Sequence, residues 1–448
     1  MKIWFYIFAC GTWPLIFSSC SKNEFSETKS TDNIEVSLVT ALGGSLNESF
    51  NSIIKTADGG YAVLGHVQSN DGDFASKTNT SFDYWVIKYD SNHNLQWQKN
   101  YGGTGDDRGK SIVVAEDGGF TILGSSNSAD GDVTENFGNS DFWVLKLSAL
   151  GEILWETSFG FSGIDNGTKL IQTNDNGLLL VGVLDVTASN GQGNTKTAST
   201  KRHAGGDYWA IKISASGTAE WTKFFGGSFT DTAYDVIQTN DNGYLVVGSS
   251  DSNDVDISEN KGTYDFWVVK ISESGTKLWE KSYGGSEIDE AWGIVSSNDG
   301  NYIIVGDTRS NDKDVLFNNG AADIFVVKID PDGNIIWRKS FGGSSFDTAR
   351  SIAKASDGGF IIAGSSRSAD GNITSNNGQN DALVIKLNSE GDLQWQHTLG
   401  GNNIDQAFDA IQLENGNIIV VGESSSSDID ISENKGFNDA LIYQLTQK

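Results

Sequence analysis

The stretch WEKSYGGSEIDEAWGIVSSNDGNYIIVG, residues 279–306, with DFWVVK at 265–270, decides how this chain is read. Near copies return about every 58 residues, so one supersecondary unit is repeated along the chain. The first Gly of the GG pair, or of GF in the third copy, gives seven markers: Gly43, Gly102, Gly160, Gly226, Gly284, Gly342 and Gly400. Five residues after each marker stands an acid, in order Glu48, Asp107, Asp165, Asp231, Asp289, Asp347 and Asp405. A further Asp opens a later apolar run in every copy: Asp83, Asp141, Asp207, Asp265, Asp323, Asp381 and Asp439.

Within a copy, four short runs rich in Ile, Val, Tyr, Phe and Trp are separated by Gly, Asn, Asp and Ser, which predicts four strands with tight connections. In the fifth copy these are AWGIVSS, YIIVGDT, DIFVVKI and NIIWRKS. The tip between the first two carries Asp-Gly, where Gly takes left-handed angles without steric cost. Before the Trp run the turn carries Gly151, Gly217, Gly275, Gly333 or Gly391, and His93 in the first copy. No stretch keeps a 3.6-residue period, so no helix is expected after the leader. Seven four-stranded units closing radially make an all-β fold, a seven-bladed β-propeller. The last copy stops before any Trp strand, whereas IEVSLVTAL at 34–42 is a Trp-type strand with Leu38 in the Trp place. One blade is therefore expected to be shared by the two chain ends, with the ring closed by strand pairing.

The pattern D-x-[WF]-V-x-K, then G-x(3)-W, GG-x(4)-D and DGG-x(4)-G resembles the bacterial SBBP repeat, and the likeness covers roughly 34–448. That resemblance implies a propeller scaffold and no particular chemistry. The G-x(3)-W element is also similar to the tryptophan motif of quinoprotein propellers, which usually have eight blades.

Residues 1–19 hold one basic residue, Lys2, and an apolar run that is short for a membrane span, which suggests a secretory signal. It ends in Phe17-Ser18-Ser19-Cys20, similar to a bacterial lipobox, so Cys20 is the expected lipidation site and 20–33 the tether of the 34–448 propeller. Acyl chains at about 0.8 kcal/mol per buried methylene would anchor it to a membrane. The expected location is the bacterial outer membrane, with its periplasmic or exposed face left open. Cys10 lies in the leader, so no disulfide is expected, and the four histidines form no zinc-spaced set. A net charge of -28 without a basic stripe argues against nucleic acid.

Among candidate residues, the acid ring Glu48 to Asp405 is read first as structural, each carboxylate satisfying backbone N–H groups of its Gly-rich turn. The long loops repeat S-x-D-x-[DN]: Asp71 and Asp73, Asp130 and Asp132, Asp254 and Asp256, Asp312 and Asp314, Asp370 and Asn372, Asp428 and Asp430. Alternating carboxylates suit calcium, and Asx-turns produce the same letters. No other cofactor is expected. Eight residues after each marker the copies disagree: Asn51, Lys110, Thr168, Tyr234, Trp292, Arg350 and Phe408. Tyr234, Trp292, Arg350 and Phe408 are the ligand-binding candidates, with plugging of the channel as the plainer account. Trp85, Trp143, Trp209 and Trp267, and the outer Trp97, Trp155, Trp221, Trp279, Trp337 and Trp395, are expected to fill the core between blades. The third copy has an eight-residue insertion holding Lys196, Lys201, Arg202 and His203, read as a surface loop. The sequence thus suggests a monomeric, non-catalytic envelope scaffold whose partner is a protein or glycan, with a polysaccharide hydrolase or lyase as rival. No unique carboxylate pair stands out for catalysis.

Overall fold

A computed structural model describes Met1 and residues 34–74, 77–191, 193 and 203–447. The expected leader, Cys20 and the tether lie outside the described residues, as do Lys196, Lys201 and Arg202. Seven antiparallel sheets of four strands each make the fold. Blades 1 to 6 occupy 48–101, 107–159, 165–225, 231–283, 289–341 and 347–399. Blade 7 takes three strands from 405–447 and its fourth from Ile34–Leu42. First strands of successive blades pack on one another all round, blade 7 onto blade 1 included, and so line a central channel.

Closure of the ring follows the sequence expectation. Ile34–Leu42 runs antiparallel to Asp439–Gln447, from Ile34 opposite Gln447 to Leu42 opposite Ala440. Its irregularity places Leu38 opposite Gln444, as the same irregularity in blade 4 places Trp279 opposite Lys270. Leu38 therefore occupies the Trp place. Among the described residues there is no α-helix; the expectation of no helix needs one amendment, a turn of 3-10 helix at Gly72–Phe74 whose Phe74 is buried. No described helix is long and apolar enough to cross a membrane.

Packing is organised as seven clusters between blades, in place of one central core. Leu245, Val247 and Phe266 of blade 4 meet Ile304, Phe325 and Val327 of blade 5. Each such side chain contributes about 1.5–3 kcal/mol when fully buried. Trp85, Trp143, Trp209 and Trp267 are buried as expected. In the outer series Trp395 is buried, while Trp97, Trp155, Trp221, Trp279 and Trp337 are half-buried and pack against the inter-blade clusters. Their indoles also cover the next blade's turn. Trp97 Nε1 donates to the Ala149 carbonyl at 3.1 Å, and a Cβ on Gly333 would lie 3.0 Å from the Trp279 ring. With φ of +76° at Gly333, that turn needs Gly both for its backbone and for the neighbouring indole.

A second repeated contact ties sheet to hairpin. Lys88, Lys146, Lys212, Lys270, Lys328 and Lys386 are buried and reach Asp58, Asp117, Asp175, Asp241, Asp299 and Asp357 at 2.7–2.9 Å. Burial alone would raise Asp58, yet hydrogen bonds from Thr56 and Lys88 outweigh it and hold the carboxyl at about 2. In blade 7 both charges are replaced, by Gln444 and Asn415. Changing both avoids a buried ammonium without a partner, which costs about 3–5 kcal/mol when one member alone is removed.

Deleting residues 34–42 strips blade 7 of its fourth strand and leaves a bare sheet edge. The expected outcome is loss of the single cooperative thermal transition, read by circular dichroism. A truncated chain that melts as sharply and as high as the full one contradicts the closure.

Candidate functional site at the channel mouth

Carboxylates of the acid ring are fully buried and bonded to the link between blades. Glu48 accepts from Gly44 N–H at 2.8 Å, Asp107 from Gly103 at 2.8 Å, Asp231 from Gly227 at 2.6 Å, Asp347 from Gly343 at 2.7 Å and Asp405 from Gly401 at 2.8 Å. Asp165 takes Phe161 N–H at 2.7 Å, and Asp289 takes Gly285 N–H at 2.6 Å and the Ser310 hydroxyl at 2.8 Å. The ring is a structural fastening, since turn backbone supplies donors that these acids satisfy.

The loop acids fasten the same link. Asp71, Asp130, Asp254, Asp312, Asp370 and Asp428 accept N–H groups of Ser45, Thr104, Ser228, Ser286, Ser344 and Asn402 at 2.7–3.0 Å. Asp73, Asp132, Asp256, Asp314, Asn372 and Asp430 take the marker-Gly N–H of their copies at 2.9–3.4 Å. Some also meet the neighbouring loop: Lys435 Nζ lies 2.9 Å from Asp73, and Lys261 pairs with Asp314. Among the described residues no group of three or more His, Cys, Asp or Glu is placed to hold a metal ion.

The third-strand acids sit at the blade junctions. Asp323 and Asp381 accept Asn319 and Asn377 N–H at 2.7 Å, and Asp265 accepts that of Lys261. The other oxygen of each is buried without a hydrogen-bond partner. A Cβ on Gly284 would fall 2.3 Å from Asp265 Oδ1 and 2.6 Å from Asp289 Oδ2, so two carboxylates crowd one glycine. Burial, reinforced by the facing carboxylate, pushes Asp265, Asp323 and Asp381 up to about 6, and Asp231 to about 8. His203 of the third-copy loop is buried with Nδ1 2.9 Å from Asp207.

The seven positions at which the copies disagree are the seven β-bulges of the inner strands. Register slips between Phe50 and Ser52, Gly109 and Ser111, Gly167 and Lys169, Ala233 and Asp235, Ala291 and Gly293, Ala349 and Ser351, and Ala407 and Asp409. A bulge residue is released from the ladder and re-aimed, so these positions tolerate unlike side chains. Three of the four proposed ligand residues come together. Tyr234 and Trp292 rings are 4.1 Å apart, and the Arg350 guanidinium lies 4.0 Å from the Trp292 ring centre. The Trp292 ring thus has neighbours from both flanking blades. Phe408 has no recorded ring contact with them.

One unique carboxylate pair exists after all, contrary to the sequence reading. Glu290 and Asp307 stand directly opposite on the first two strands of blade 5. The corresponding places elsewhere hold Ser49 and His66, Arg108 and Ser125, Asn166 and Val183, Thr232 and Ser249, Thr348 and Ser365, and Gln406 and Glu423. Asp307 is buried, accepts Trp292 Nε1–H at 3.0 Å and is pushed up to about 7 by burial against the pull of Arg350. Aligning copies by strand pairing, not by marker, exposes the pair. Deeper in the channel Lys169 Nζ lies 3.4 Å from Asp235, and that charge together with Asp409 raises the amine. Across the ring, desolvation and then Arg108 lower Lys110. Beside the mouth, a cleft of about 510 Å³ opens between blades 3 and 4, lined in part by Ile164, Val183, Asp185 and Thr232.

No family model matches the chain. Among curated proteins it is 22% identical over 247 residues to the Regulatory protein FlaEY of Caulobacter vibrioides, a stretch covering 49% of this chain and 25% of that protein. The chain therefore spans about a quarter of the length of that relative. Among solved structures it is similar to the Neurospora crassa Pan2 WD40 domain, with TM-score 0.48, 10% identity and coverage of 92% of this chain and 96% of that one. It is also similar to YCF48 bound to D1 peptide, with TM-score 0.44, 9% identity and coverage of 92% and 95%.

The junction acids bind a proton more tightly folded than unfolded. Their stabilisation is complete below the ordinary value of 3.8 and is lost as pH rises through about 6 at Asp265, Asp323 and Asp381, and about 8 at Asp231. The melting temperature is expected to fall between about pH 4 and about pH 8, and Asp265→Asn with Asp323→Asn to flatten the part of that fall below about pH 6. A melting temperature that climbs across this window contradicts the assignment.

Proposed function

We propose that this protein is an extracytoplasmic binding propeller that presents the channel mouth of its acid-lined face to an envelope partner, with a lipid on Cys20 holding it at a membrane. The carrying observation is the confinement of difference. Residues fastening the blades repeat, while the bulges that aim into the channel carry Asn51, Lys110, Thr168, Tyr234, Trp292, Arg350 and Phe408. Unlike residues on a like scaffold are what selective recognition needs. Two measurements test the reading. Cys20→Ser is expected to move the chain from the membrane to the soluble fraction. Lys110→Ser combined with Arg350→Ser is expected to weaken, by about a hundredfold or more, binding of any glycan or envelope protein captured by the wild type, since each lost charged contact is worth about 1.5–3 kcal/mol. Undiminished capture by a folded double variant removes the mouth from the proposal.

A second reading, hydrolysis of a polysaccharide, draws support from the Glu290 and Asp307 pair. Asp307, pushed up to about 7 by burial and directly opposite a second carboxylate, suits an acid role near neutral pH. On this reading a screen of bacterial and plant polysaccharides yields a reducing-sugar signal that Asp307→Asn lowers by a factor of about 100 or more. Turnover that survives Asp307→Asn, or none at all, eliminates it.

A further inference from the structure

The chain has six arginines, and four of them, Arg108, Arg309, Arg350 and Arg367, gather at one end of the inner two strands, around the channel mouth. Lysines do the structural pairing instead, six of them on the hairpin acids. Arg108 is engaged, 3.5 Å from Asp106 and stacked on Phe82. Arg350 is engaged on Trp292. Arg309 and Arg367 differ: both are exposed, and among the described residues neither forms an ion pair. Their guanidiniums approach one ring, Phe346, at 5.7 and 5.6 Å.

The same place in other blades has local work. Gln68 accepts from Asn47, Asp185 from Ala188 N–H, Asp251 from Thr230 N–H and Ser425 from Ile404 N–H. Blades 5 and 6 put arginine there, freeing the side chain from its rim backbone. At these distances both cations lie within cation–π reach of one ring, so Phe346 gathers two guanidiniums, each a planar fork suited to bidentate carboxylate recognition. Ordering the two forks in advance lowers the entropic cost of binding. Around them the rim is partly apolar, with Phe346 37% and Ile404 38% exposed. A long polyanion approaching a chain of net charge -28 is repelled in proportion to its charge, whereas one carboxylate on a short neutral body is repelled far less.

We infer that Arg309, Arg367 and Phe346 form a clamp for a small carboxylate-bearing ligand at the rim of blades 5 and 6. This rests on the reading of the mouth as a binding surface and names the ligand chemistry there. Two sources share that chemistry, a sugar acid and an apolar organic acid.

Ligand-observed NMR titration of the full chain with glucuronate, benzoate and glucose separates them. The expected result is saturable binding of at least one acid, none of glucose, and at least tenfold weakening in Arg309→Gln with Arg367→Gln. Whichever acid binds more tightly identifies the source. Arg309→Lys with Arg367→Lys keeps both charges without the fork, and is expected to restore only part of the affinity. Thermal melts verify that the variants fold. Absence of binding by both acids, equal binding of glucose, or full affinity in the double Gln variant overturns the clamp. Capture of a partner that depends on Lys110 and Arg350, with no acid bound, overturns the clamp and leaves the wider reading standing.

Discussion

Pairing of Ile34–Leu42 with Asp439–Gln447 is the constraint from which the rest of the molecule follows. Each blade buries its faces only against its neighbours, so an open row would leave two sheets half bare. Closing the row converts these faces into a seventh inter-blade core, in which Phe50 and Trp85 of blade 1 pack with Ile419 and Ile442 of blade 7, and Leu42 lies against them. A circle also brings the seven inner strands together, and a channel mouth exists only because it does. Ring acids then fasten every link and loop acids six of the seven, so the mouth inherits a rigid frame.

Blade 7 shows how closely the repeated contacts depend on one another. It alone has Leu38 in place of the outer Trp, and the turn that follows it round the ring carries His93 at φ +62°, where five others carry Gly. Elsewhere an indole occupies the space that a Cβ would need. Where no indole stands, a side chain is admitted. The same blade exchanges the Lys and Asp of the hairpin contact for Gln444 and Asn415 together. Substitutions at the seam come in matched sets because each contact spans two elements.

The blades were legible in the sequence because their fastening residues recur at fixed intervals and each interval has a geometric cause. Leu38 could be placed in advance for that reason, and the acid ring could be read as structural. The channel was less legible. Glu290 and Asp307 lie 17 residues apart in the chain and become partners only through strand register. The bulges hid as well, since an extra residue in an inner strand leaves the spacing of the markers unchanged. The outer indoles also cap a turn of the next blade, and no periodicity within one copy announces that contact. Alternating loop acids gave a calcium pattern by letter, whereas their oxygens meet N–H groups of the link.

Strand Ile34–Leu42 has a mechanical consequence beyond closure. Its first residue, Ile34, lies opposite Gln447 at one end of the ladder. Tension arriving through the amino terminus would load the rungs one after another, as in peeling, and not all together, as in sliding. The seam that completes the circle is therefore also its release point under load, and a pull on Ile34 would unlatch blade 7 before any other sheet yields.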